Sequence, residues 1–435
     1  MSNIVPQESP IRYRVATDER WKRYLGLLTH LFLARSNWTF LEVVSNSAFG
    51  DAVTFAPLPA SSGLQIENRM GRYQLRRDRL RRLMKKSGAD GFLVTNFTNV
   101  TYLTGFRGDD SFLLLLPDGE IVLSDPRYTT QLKEECPDVD LEIRSPGTAI
   151  ISSIRKVLRR CRCREVGFAS KSLTVDLHCS LVEGVDDVHW IACGGLVERL
   201  RMVKDRDEIR SIRKAVMLAE RAFDTVRSGL RGIDQERTVA HAIENEIRRF
   251  GGRGCSFSPI VAVGPRAALP HATVEDIPIG EHGLLLIDWG ADSPDGYKSD
   301  LTRVLHTGKI SPKLKRIYQL VLKAQQRAIE AIRPGAKCAD VDAVARKVIA
   351  DAGFDKYFGH GLGHGIGLDI HEGPRLSAAN SEPLKAGMVV TVEPGIYLPG
   401  VGGVRIEDDV LVTRGGHEVL TSLPKDWDSA ATQLG

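Results

Sequence analysis

Two aspartates stand in the second half of the chain at the edges of apolar, strand-like runs. Asp288 lies near the end of the run at residues 284–290, and Asp300 lies at the start of the next apolar run. A carboxylate in such a run is costly unless it is paired or bound to a cation, although an aspartate before glycine is also common in turns. Residues 291–296 are rich in Asp, Pro and Gly and predict a hairpin. The two aspartates should then face one another across two strands, where they repel unless a cation or a proton lies between them.

Histidines and glycines alternate in a segment further along the chain. Residues 360–372 contain His360, His364 and His371 together with four glycines. Glycine allows the backbone to bring imidazole rings close to one centre. Three surface histidines are the alternative interpretation, but their density in a glycine-rich stretch favours a site.

Two glutamates lie in or beside β-branched runs, Glu393 within residues 389–395 and Glu407 within residues 403–410. A single glutamate in a strand is usually exposed to solvent. Together with two aspartates and a histidine, however, the glutamates complete a ligand set for two divalent ions. A water between two such ions loses its proton near neutral pH and becomes a nucleophile. Oxygen-rich ligation favours Mn²⁺, with Co²⁺, Fe²⁺ or Zn²⁺ as alternatives.

Length and composition exclude several other classes of protein. A chain of 435 residues predicts two domains, and 42% apolar with 26% charged residues is a globular balance. The net charge of +4 does not require nucleic acid or an anionic membrane as a partner. No apolar run approaches the roughly 18 residues of a membrane helix. The arginine-rich stretch at residues 76–86 is interpreted as a solvated helix face rather than an RNA-binding surface, because no aromatic stacking motif accompanies it.

The cysteines and the amino-terminal residues bear on the cellular compartment. Seven scattered cysteines, an odd number, do not predict a disulfide framework and favour the reducing cytoplasm: Cys136, Cys161, Cys163, Cys179, Cys193, Cys255 and Cys338. The apolar patch at residues 24–34 could be a signal-peptide core, but it begins late and contains a histidine. Residues 1–69 show no sustained period, and we expect them to form a poorly ordered extension.

The order of predicted elements indicates an α/β first domain followed by an α+β second domain. The first begins with a helix at residues 73–86, with Leu75, Leu80 and Leu83 on its apolar side, followed by strands at 91–95, 111–116, 120–123 and 165–168 and a helix at 129–135. The second domain contains predicted helices at 205–226, 234–250, 311–332 and 339–352. Asp234 is the predicted cap of the helix at 234–250, and Ser311 that of the helix at 311–332. Its predicted strands lie at 258–263, 284–289, 301–307, 388–392, 404–407 and 409–413. This order predicts helices on one face of an antiparallel sheet.

These motifs resemble the M24 metallopeptidases of the "pita-bread" fold, which include aminopeptidase P, prolidase and methionine aminopeptidase. The resemblance covers roughly residues 71–425, and residues 360–372 match the proline-peptidase signature. It implies an α+β pita-bread catalytic domain at residues 201–428, preceded by a smaller α/β creatinase-type domain at residues 70–200. The extension at residues 1–69 matches nothing in the family, and the spacing of 12 between Asp288 and Asp300 is one residue longer than its usual hairpin.

The resemblance also implies roles for individual residues. The metal ligands would be Asp288, Asp300, His364, Glu393 and Glu407, with Asp300 and Glu407 bridging both ions and Glu393 also transferring a proton. The residues implied around the substrate are His271 as a pocket histidine, His360 and His371 as substrate-binding and proton-shuttling histidines, and Arg405 as a supporting arginine. His371 could instead serve only to orient Glu372.

The activity that the resemblance implies is that of a dinuclear-metal Xaa-Pro aminopeptidase, which acts on short proline-containing peptides. Prolidase, which cleaves Xaa-Pro dipeptides only, is the alternative enzyme. A catalytically inactive binding module on the same fold is the alternative from another class, and creatinase shares the fold without metals; the retention of all five ligands argues against both. We expect no nucleic-acid or membrane partner. The family implies a homodimer, with a tetramer as the alternative.

Overall fold

The computed structural model describes residues 62–307 and 310–434. Most of the predicted extension, including the apolar patch at residues 24–34, lies outside these residues. The described part is a mixed α and β structure, so the predicted α+β class is confirmed.

The first domain is built on a six-stranded mixed sheet with the strand order β4-β3-β2-β1-β5-β6. Its strands are β1 Gly91–Val94, β2 Phe112–Leu116, β3 Gly119–Ser124, β4 Asp140–Ile143, β5 Glu165–Phe168 and β6 His189–Ala192. Its helices are α1 Ser62–Lys86, α2 Phe97–Thr104, α3 Thr129–Glu135, α4 Ile150–Cys161, α5 Val175–Gly184 and α6 Leu196–Arg201. The predicted hairpin is the antiparallel pair β2–β3, and β1 joins β2 to the parallel strand β5.

Helix α1 differs from its prediction in two ways. It begins at Ser62 rather than at residue 73, and its arginines do not all lie on a solvated face. The guanidinium of Arg77 is fully buried between Glu120 and Asp138, and Arg81 also pairs with Glu120. Leu75, predicted on the apolar side, is 48% exposed instead. Burial of an arginine is tolerated here because each charge meets a carboxylate.

The second domain contains several small antiparallel sheets and four long helices. The helices are α7 Arg206–Ser228, α8 Glu236–Arg249, α9 Pro312–Ala331 and α10 Cys338–Asp351. The strands are β7 Gly254–Cys255, β8 Ile260–Val263, β9 Leu284–Trp289, β10 Ala291–Asp292, β11 Leu301–His306, β12 Gly363–Gly365, β13 Glu372–Leu376, β14 Val389–Val392, β15 Gly395–Leu398, β16 Gly402–Arg405, β17 Asp408–Val412 and β18 His417–Val419. They form sheets in the orders β11-β9-β8, β13-β12-β14-β17-β18, β15-β16 and β10-β7.

The three-stranded sheet is covered on both faces, which corrects the prediction of helices on one face only. Leu285 and Ile287 pack with α7 and α8, whereas Leu286 and Val304 belong to the core that contains α9 and α10. Strand β9 is accordingly buried at all six positions. A strand buried on both faces is apolar throughout, and this gives its one carboxylate, Asp288, an unusual environment.

The starts of three predicted helices can be compared with the structure. Asp205 and Glu208 form a capping box at the start of α7, and the hydroxyl of Ser311 accepts a hydrogen bond from the backbone at the start of α9. The predicted cap Asp234 is wrong, because Gln235 occupies the N-cap of α8. The carboxylate of Asp234 instead accepts a hydrogen bond from the backbone N–H of Arg231.

The two domains share a buried charge cluster at the start of α7. Arg76 of α1 lies 2.7 Å from Asp205 and 3.0 Å from Glu208. The hydroxyl of Tyr297, in the loop that connects Asp288 with Asp300, donates to the other oxygen of Glu208 at 3.0 Å. The first domain is thereby connected, through Glu208, to a loop that carries two of the predicted ligands.

Two further predictions concern cysteines and membranes. All seven cysteines are free thiols, as the odd and scattered count predicted. Among the described helices, none combines the length and the apolar character that crossing a bilayer requires.

Candidate metal centre

The hairpin of β9 and β11 places both predicted aspartates at its closed end. Asp288 is the penultimate residue of β9, and Asp300 directly precedes β11. The register sets Asp288 opposite Thr302, so Asp300 lies diagonally across from Asp288 on the neighbouring strand. Residues two apart on a strand point to the same side, and both carboxylates therefore share one face.

His364 is positioned by very close backbone packing in the middle of β12. A Cβ atom at Gly363 would lie 2.1 Å from the carbonyl oxygen of Thr391, and one at Gly365 would lie 2.0 Å from that of Gly373. Only glycine permits strands to approach so closely. Nδ1 of His364 lies 3.1 Å from the carbonyl oxygen of Gly365, which can only accept a hydrogen bond. The proton therefore sits on Nδ1, and the lone pair of Nε2 is free for a metal.

Nε2 of His364 faces the carboxylates. It lies 3.6 Å from Oδ2 of Asp300 and 3.4 Å from Oε1 of Glu393, which follows β14. Single ligand atoms of Asp300, His364 and Glu407 all lie within 4.8 Å of one another. Glu407 stands between β16 and β17 and is 1% exposed. The structure thus brings residues from four separate segments of the sequence to one centre.

Three acids of this centre, Asp300, Glu393 and Glu407, have raised pKa values. Burial, and then the charge of Glu407, raises the pKa of Asp300 well above its usual range. Burial and the charge of Glu393 do the same to the pKa of Glu407, and burial raises the pKa of Glu393 to about 7. By contrast, burial lowers the pKa of His364 to about 3, so its ring is neutral at physiological pH. If these carboxyl groups are all ionised, their mutual repulsion requires a positive charge between them.

Several buried oxygens support the same conclusion. Oδ1 of Asp288 and Oε1 of Glu407 are buried and accept no hydrogen bond from any residue within 62–307 or 310–434. Unsatisfied buried oxygens are rare in folded proteins and call for an explanation such as a bound ion. Carboxylate oxygens with one imidazole nitrogen form a donor set suited to divalent cations. The residues present therefore fit a metal centre.

Arg405 is bonded to one candidate ligand directly and to another through a threonine. Its guanidinium pairs with Asp288 and donates to the hydroxyl of Thr302 at 3.1 Å, and to the hydroxyl of Tyr397 at 2.9 Å. The hydroxyl of Thr302 in turn donates to Oε2 of Glu407 at 2.7 Å. Arg405 thus connects Asp288 and Glu407 through direct pairing and through Thr302, and its supporting role stays a prediction.

His360 lies at the end of a chain of directed hydrogen bonds. Nδ1 of His360 lies 2.8 Å from the carbonyl oxygen of Gly361, and Nε2 lies 2.9 Å from the hydroxyl of Tyr397. The tyrosine therefore accepts from Arg405 and donates to His360. Burial, followed by the charge of Arg405, lowers the pKa of His360 to about 4, which keeps the ring neutral.

The remaining two histidines border the centre on its exposed side. The ring of His371 contacts that of His364 edge-on, with centroids 4.5 Å apart. Burial, and then the charge of Arg375, lowers the pKa of His371. His271 is exposed and lies close enough to His360 and His371 to affect both electrostatically. The preceding carbonyl, of Pro270, accepts a hydrogen bond from Arg405 at 3.3 Å.

Sequence reasoning missed several side chains that hold the ligands. Thr302 and Thr391 each lie two residues from a ligand on the same strand face, and Thr391 donates to Glu393 at 3.2 Å. The period of two in a strand could have indicated both threonines. Asp409 accepts from the backbone N–H of Asp300 at 3.1 Å, and nothing in its sequence context distinguishes it from its neighbour Asp408. Tyr397 likewise carries no signal in the sequence.

Comparison with known proteins agrees with this architecture. The profile of metallopeptidase family M24 matches residues 210–414, and that of the creatinase/prolidase N-terminal domain matches residues 76–203. An uncharacterized peptidase of Bacillus subtilis (strain 168) is 38% identical over 349 residues, which are 80% of this chain and 98% of that protein. This chain belongs to metallopeptidase family M24. The M24 fold here is a pita-bread catalytic domain preceded by a creatinase-type domain, as the resemblance implied.

Solved structures of a dipeptidase and of an aminopeptidase both match this chain. An Xaa-Pro dipeptidase from Bacillus anthracis is 37% identical with a TM-score of 0.78, over 81% of this chain and 99% of that one. An X-Pro aminopeptidase from Thermotoga maritima is 35% identical with a TM-score of 0.72, over 78% of this chain and 97% of that one. Membership of family M24 makes this chain a metal-dependent peptidase. The choice between dipeptidase and aminopeptidase activity depends on its substrate pocket.

Proposed function

We propose that this chain is a dinuclear-metal Xaa-Pro aminopeptidase, which hydrolyses the bond between an amino-terminal residue and a following proline. The observation that carries the proposal is the cluster of buried acids with unpartnered oxygens around the lone pair of His364. Membership of family M24 and the likeness to Xaa-Pro peptidases support it.

The residues that would hold two ions are those identified from the sequence: Asp288, Asp300, His364, Glu393 and Glu407. Asp300 and Glu407 would be shared between the ions, as the resemblance to the family implies, and the charges of neighbouring acids act on both. Mn²⁺ is the ion we propose, since four of the five ligands offer oxygen; Co²⁺, Zn²⁺ and Fe²⁺ are alternatives. When bound, the ions supply a water that ionises near neutral pH.

The chain's own residues supply proton transfer and substrate alignment. Glu393 lies 3.4 Å from Nε2 of His364 within the acid cluster, and we propose that it takes a proton from water and passes it to the leaving prolyl nitrogen. His271 and His371 border the centre on its exposed side, where they can donate hydrogen bonds to the oxygen of the scissile carbonyl. His360 is kept neutral and directed by Tyr397, and we propose that it binds substrate.

Domain limits, assembly and compartment complete the proposal. We propose an extension at residues 1–69, a creatinase-type domain at 70–200 and a catalytic domain at 201–428. The two profile matches at residues 76–203 and 210–414 support this division. A homodimer is proposed from the resemblance, and a cytoplasmic location from the seven free cysteines, which are typical of reducing compartments.

The proposal is tested by hydrolysis of Ala-Pro and Ala-Pro-Ala with purified protein and Mn²⁺. We expect cleavage of the tripeptide, with or without the dipeptide, and no comparable cleavage of Ala-Ala-Ala. Cleavage of Ala-Pro alone would identify a prolidase. If neither proline peptide is cleaved with Mn²⁺, Co²⁺ or Zn²⁺, the proposed function is wrong.

Prolidase activity is favoured by one specific observation. A cavity of about 600 Å³ beside His371 is lined by Lys171, Arg199 and Arg375, among other residues. These three exposed side chains form no ion pair with another described residue. Acids line the same cavity, but Asp369 and Glu372 are already paired with Arg201. The exposed cations are therefore suited to the carboxylate that follows proline in a dipeptide.

Arg375→Gln is expected to lower kcat/KM for Ala-Pro about 10- to 100-fold, as the loss of a hydrogen bond to a charged group predicts. Ala-Pro-amide, which lacks the carboxylate, should be cleaved equally well by both proteins. Steady-state kinetics on the two substrates check this, with Arg414→Gln on the exposed surface as the matched control. An equal loss on both substrates would show that Arg375 does not recognise the carboxylate.

A further inference from the structure

Two acids enclose His371 in a short turn. Asp369 precedes the histidine by two residues, and Glu372 follows it directly. The backbone N–H of Asp369 donates to Oε1 of Glu372 at 3.0 Å, which closes the turn. The side chain of Glu372 is only 6% exposed, so it points into the protein while His371 remains on the exposed side.

Both acids are held by one arginine at the junction of the two domains. Arg201 is the last residue of α6, and its side chain is 4% exposed. Its Nη2 atom lies 2.5 Å from Glu372 and 2.7 Å from Asp369. Lys204 adds a second cation, 3.3 Å from the other oxygen of Glu372. The buried acid is thereby neutralised: burial alone would raise the pKa of Glu372, but Lys204 and Arg201 hold it below its usual value.

The first domain in turn holds the arginine. Nη1 of Arg201 donates to the side-chain oxygen of Asn99 in α2 at 2.8 Å, and the amide of Asn99 donates to Glu198 at 2.7 Å. Thr98, also in α2, donates to Asp369 at 3.0 Å. The turn around His371 therefore rests on side chains of α2 and α6, and not on the catalytic domain alone.

We infer that Arg201 is a positioning residue that transmits the support of the creatinase-type domain to His371. The inference rests on the proposed function, in which His371 contacts the substrate. A planar guanidinium that bridges two carboxylates fixes the direction of both, and the histidine between them is fixed with them. A displacement of about 1 Å of a group that aligns a substrate can cost about a hundredfold in rate. The alternative interpretation from the sequence is that His371 orients Glu372. In the present inference the direction is the opposite, and Glu372 orients His371.

A double-mutant cycle tests this inference. In the otherwise unchanged enzyme, Arg201→Met is expected to lower kcat for the cleaved proline peptide 10- to 100-fold with less than a threefold change in KM. In the His371→Ala background the same substitution should lower kcat less than twofold, because Arg201 acts through that histidine. Arg201→Lys, which keeps the charge but not the planar bridge, should restore part of the rate. Equal losses in both backgrounds would overturn the inference.

Two further measurements keep the test independent of folding and of the proposed function. Asp369→Asn alters the exposed end of the bridge and should show the same non-additivity with His371→Ala, even if Arg201→Met folds poorly. Arg82→Met, an exposed residue of α1, is the matched control. Modification of His371 by diethylpyrocarbonate, followed by mass spectrometry, needs no activity. Its rate should rise at least threefold in Arg201→Met while that of the exposed His241 stays constant. An unchanged rate at His371 would contradict the inference even in a protein that cleaves no peptide.

Discussion

Glu393→Gln is expected to lower kcat about a thousandfold on any proline peptide that the enzyme cleaves. Burial and the charge of Asp288 raise the pKa of Glu393 to about 7, whereas the charge of Arg405 opposes this rise. That value describes the protein without metal; in the loaded enzyme, a carboxylate that takes a proton from water and returns it to the leaving group contributes about 10²- to 10⁴-fold to the rate. Glutamine keeps the size and one oxygen of the side chain but cannot carry the proton. Single-turnover and steady-state kinetics at saturating Mn²⁺ measure the loss.

Saturation with metal has to be shown for the variant, because Glu393 is also a proposed ligand. A titration with Mn²⁺ separates weaker metal binding, which excess ion corrects, from loss of proton transfer, which it does not. Glu330→Gln is the matched control, since this glutamate lies outside the acid cluster and is 61% exposed. If Glu393→Gln retained more than a tenth of the wild-type kcat at saturating metal, proton transfer by Glu393 would be refuted.

Removal of divalent cations is expected to abolish hydrolysis and to lower the melting temperature more at pH 8 than at pH 6. The pKa values of Asp300 and Glu407 lie well above their usual range, and that of Glu393 is about 7. An acid whose pKa is raised by folding loses stability as the pH rises from its unfolded to its folded pKa. The metal-free protein therefore carries the largest repulsion at high pH. At low pH, protons already relieve this repulsion and the metal must displace them.

The magnitude follows from linkage. Mn²⁺ at about one hundred times its Kd stabilises the folded state by about 2.7 kcal/mol, which corresponds to a shift of roughly 5–10 °C in Tm for an unfolding unit of the size of the proposed catalytic domain. Thermal melts with and without Mn²⁺ at both pH values measure the shift, and His364→Ala should reduce it. Asp355→Asn, on the exposed surface, should melt as the wild type does. A shift that is equal at pH 6 and pH 8, or that is larger at pH 6, would contradict the proposed protonated acid cluster.

The ligand set could be predicted from the sequence because each ligand interrupts a pattern. Asp288 stands out as a charge in a buried strand, Glu407 as a charge between two buried strands, and His364 as an imidazole among glycines. The sequence could not predict their register, since pairing depends on how the long loop between Asp288 and Asp300 folds. That loop carries β10, which pairs with β7, and Tyr297, which donates to Glu208, and neither partner is visible in the local sequence.

The elements of the first domain were harder to predict than those of the second. Helix α2 is rich in β-branched and aromatic residues, which favour strands, and it depends on its cap by Asn96. Strand β4 is half exposed and only four residues long, so it offers little periodicity. The buried arginines of α1 show why a charge run is ambiguous: Arg77 faces inward only because Glu120 and Asp138 arrive from other elements. Tertiary partners of this kind leave no trace in a local pattern.

The charge cluster at the start of α7 has a consequence for synthesis on the ribosome. A chain emerges from its amino terminus, and amino-terminal domains generally fold first. Arg76 therefore leaves the ribosome well before Glu208, and Tyr297 follows both. The cation that Glu208 requires on burial is already present, on a helix of the first domain, when the glutamate emerges. The first helix of the catalytic domain can thus pack against a first domain that has already folded. Glu208 then passes through no stage in which it is buried without a cation.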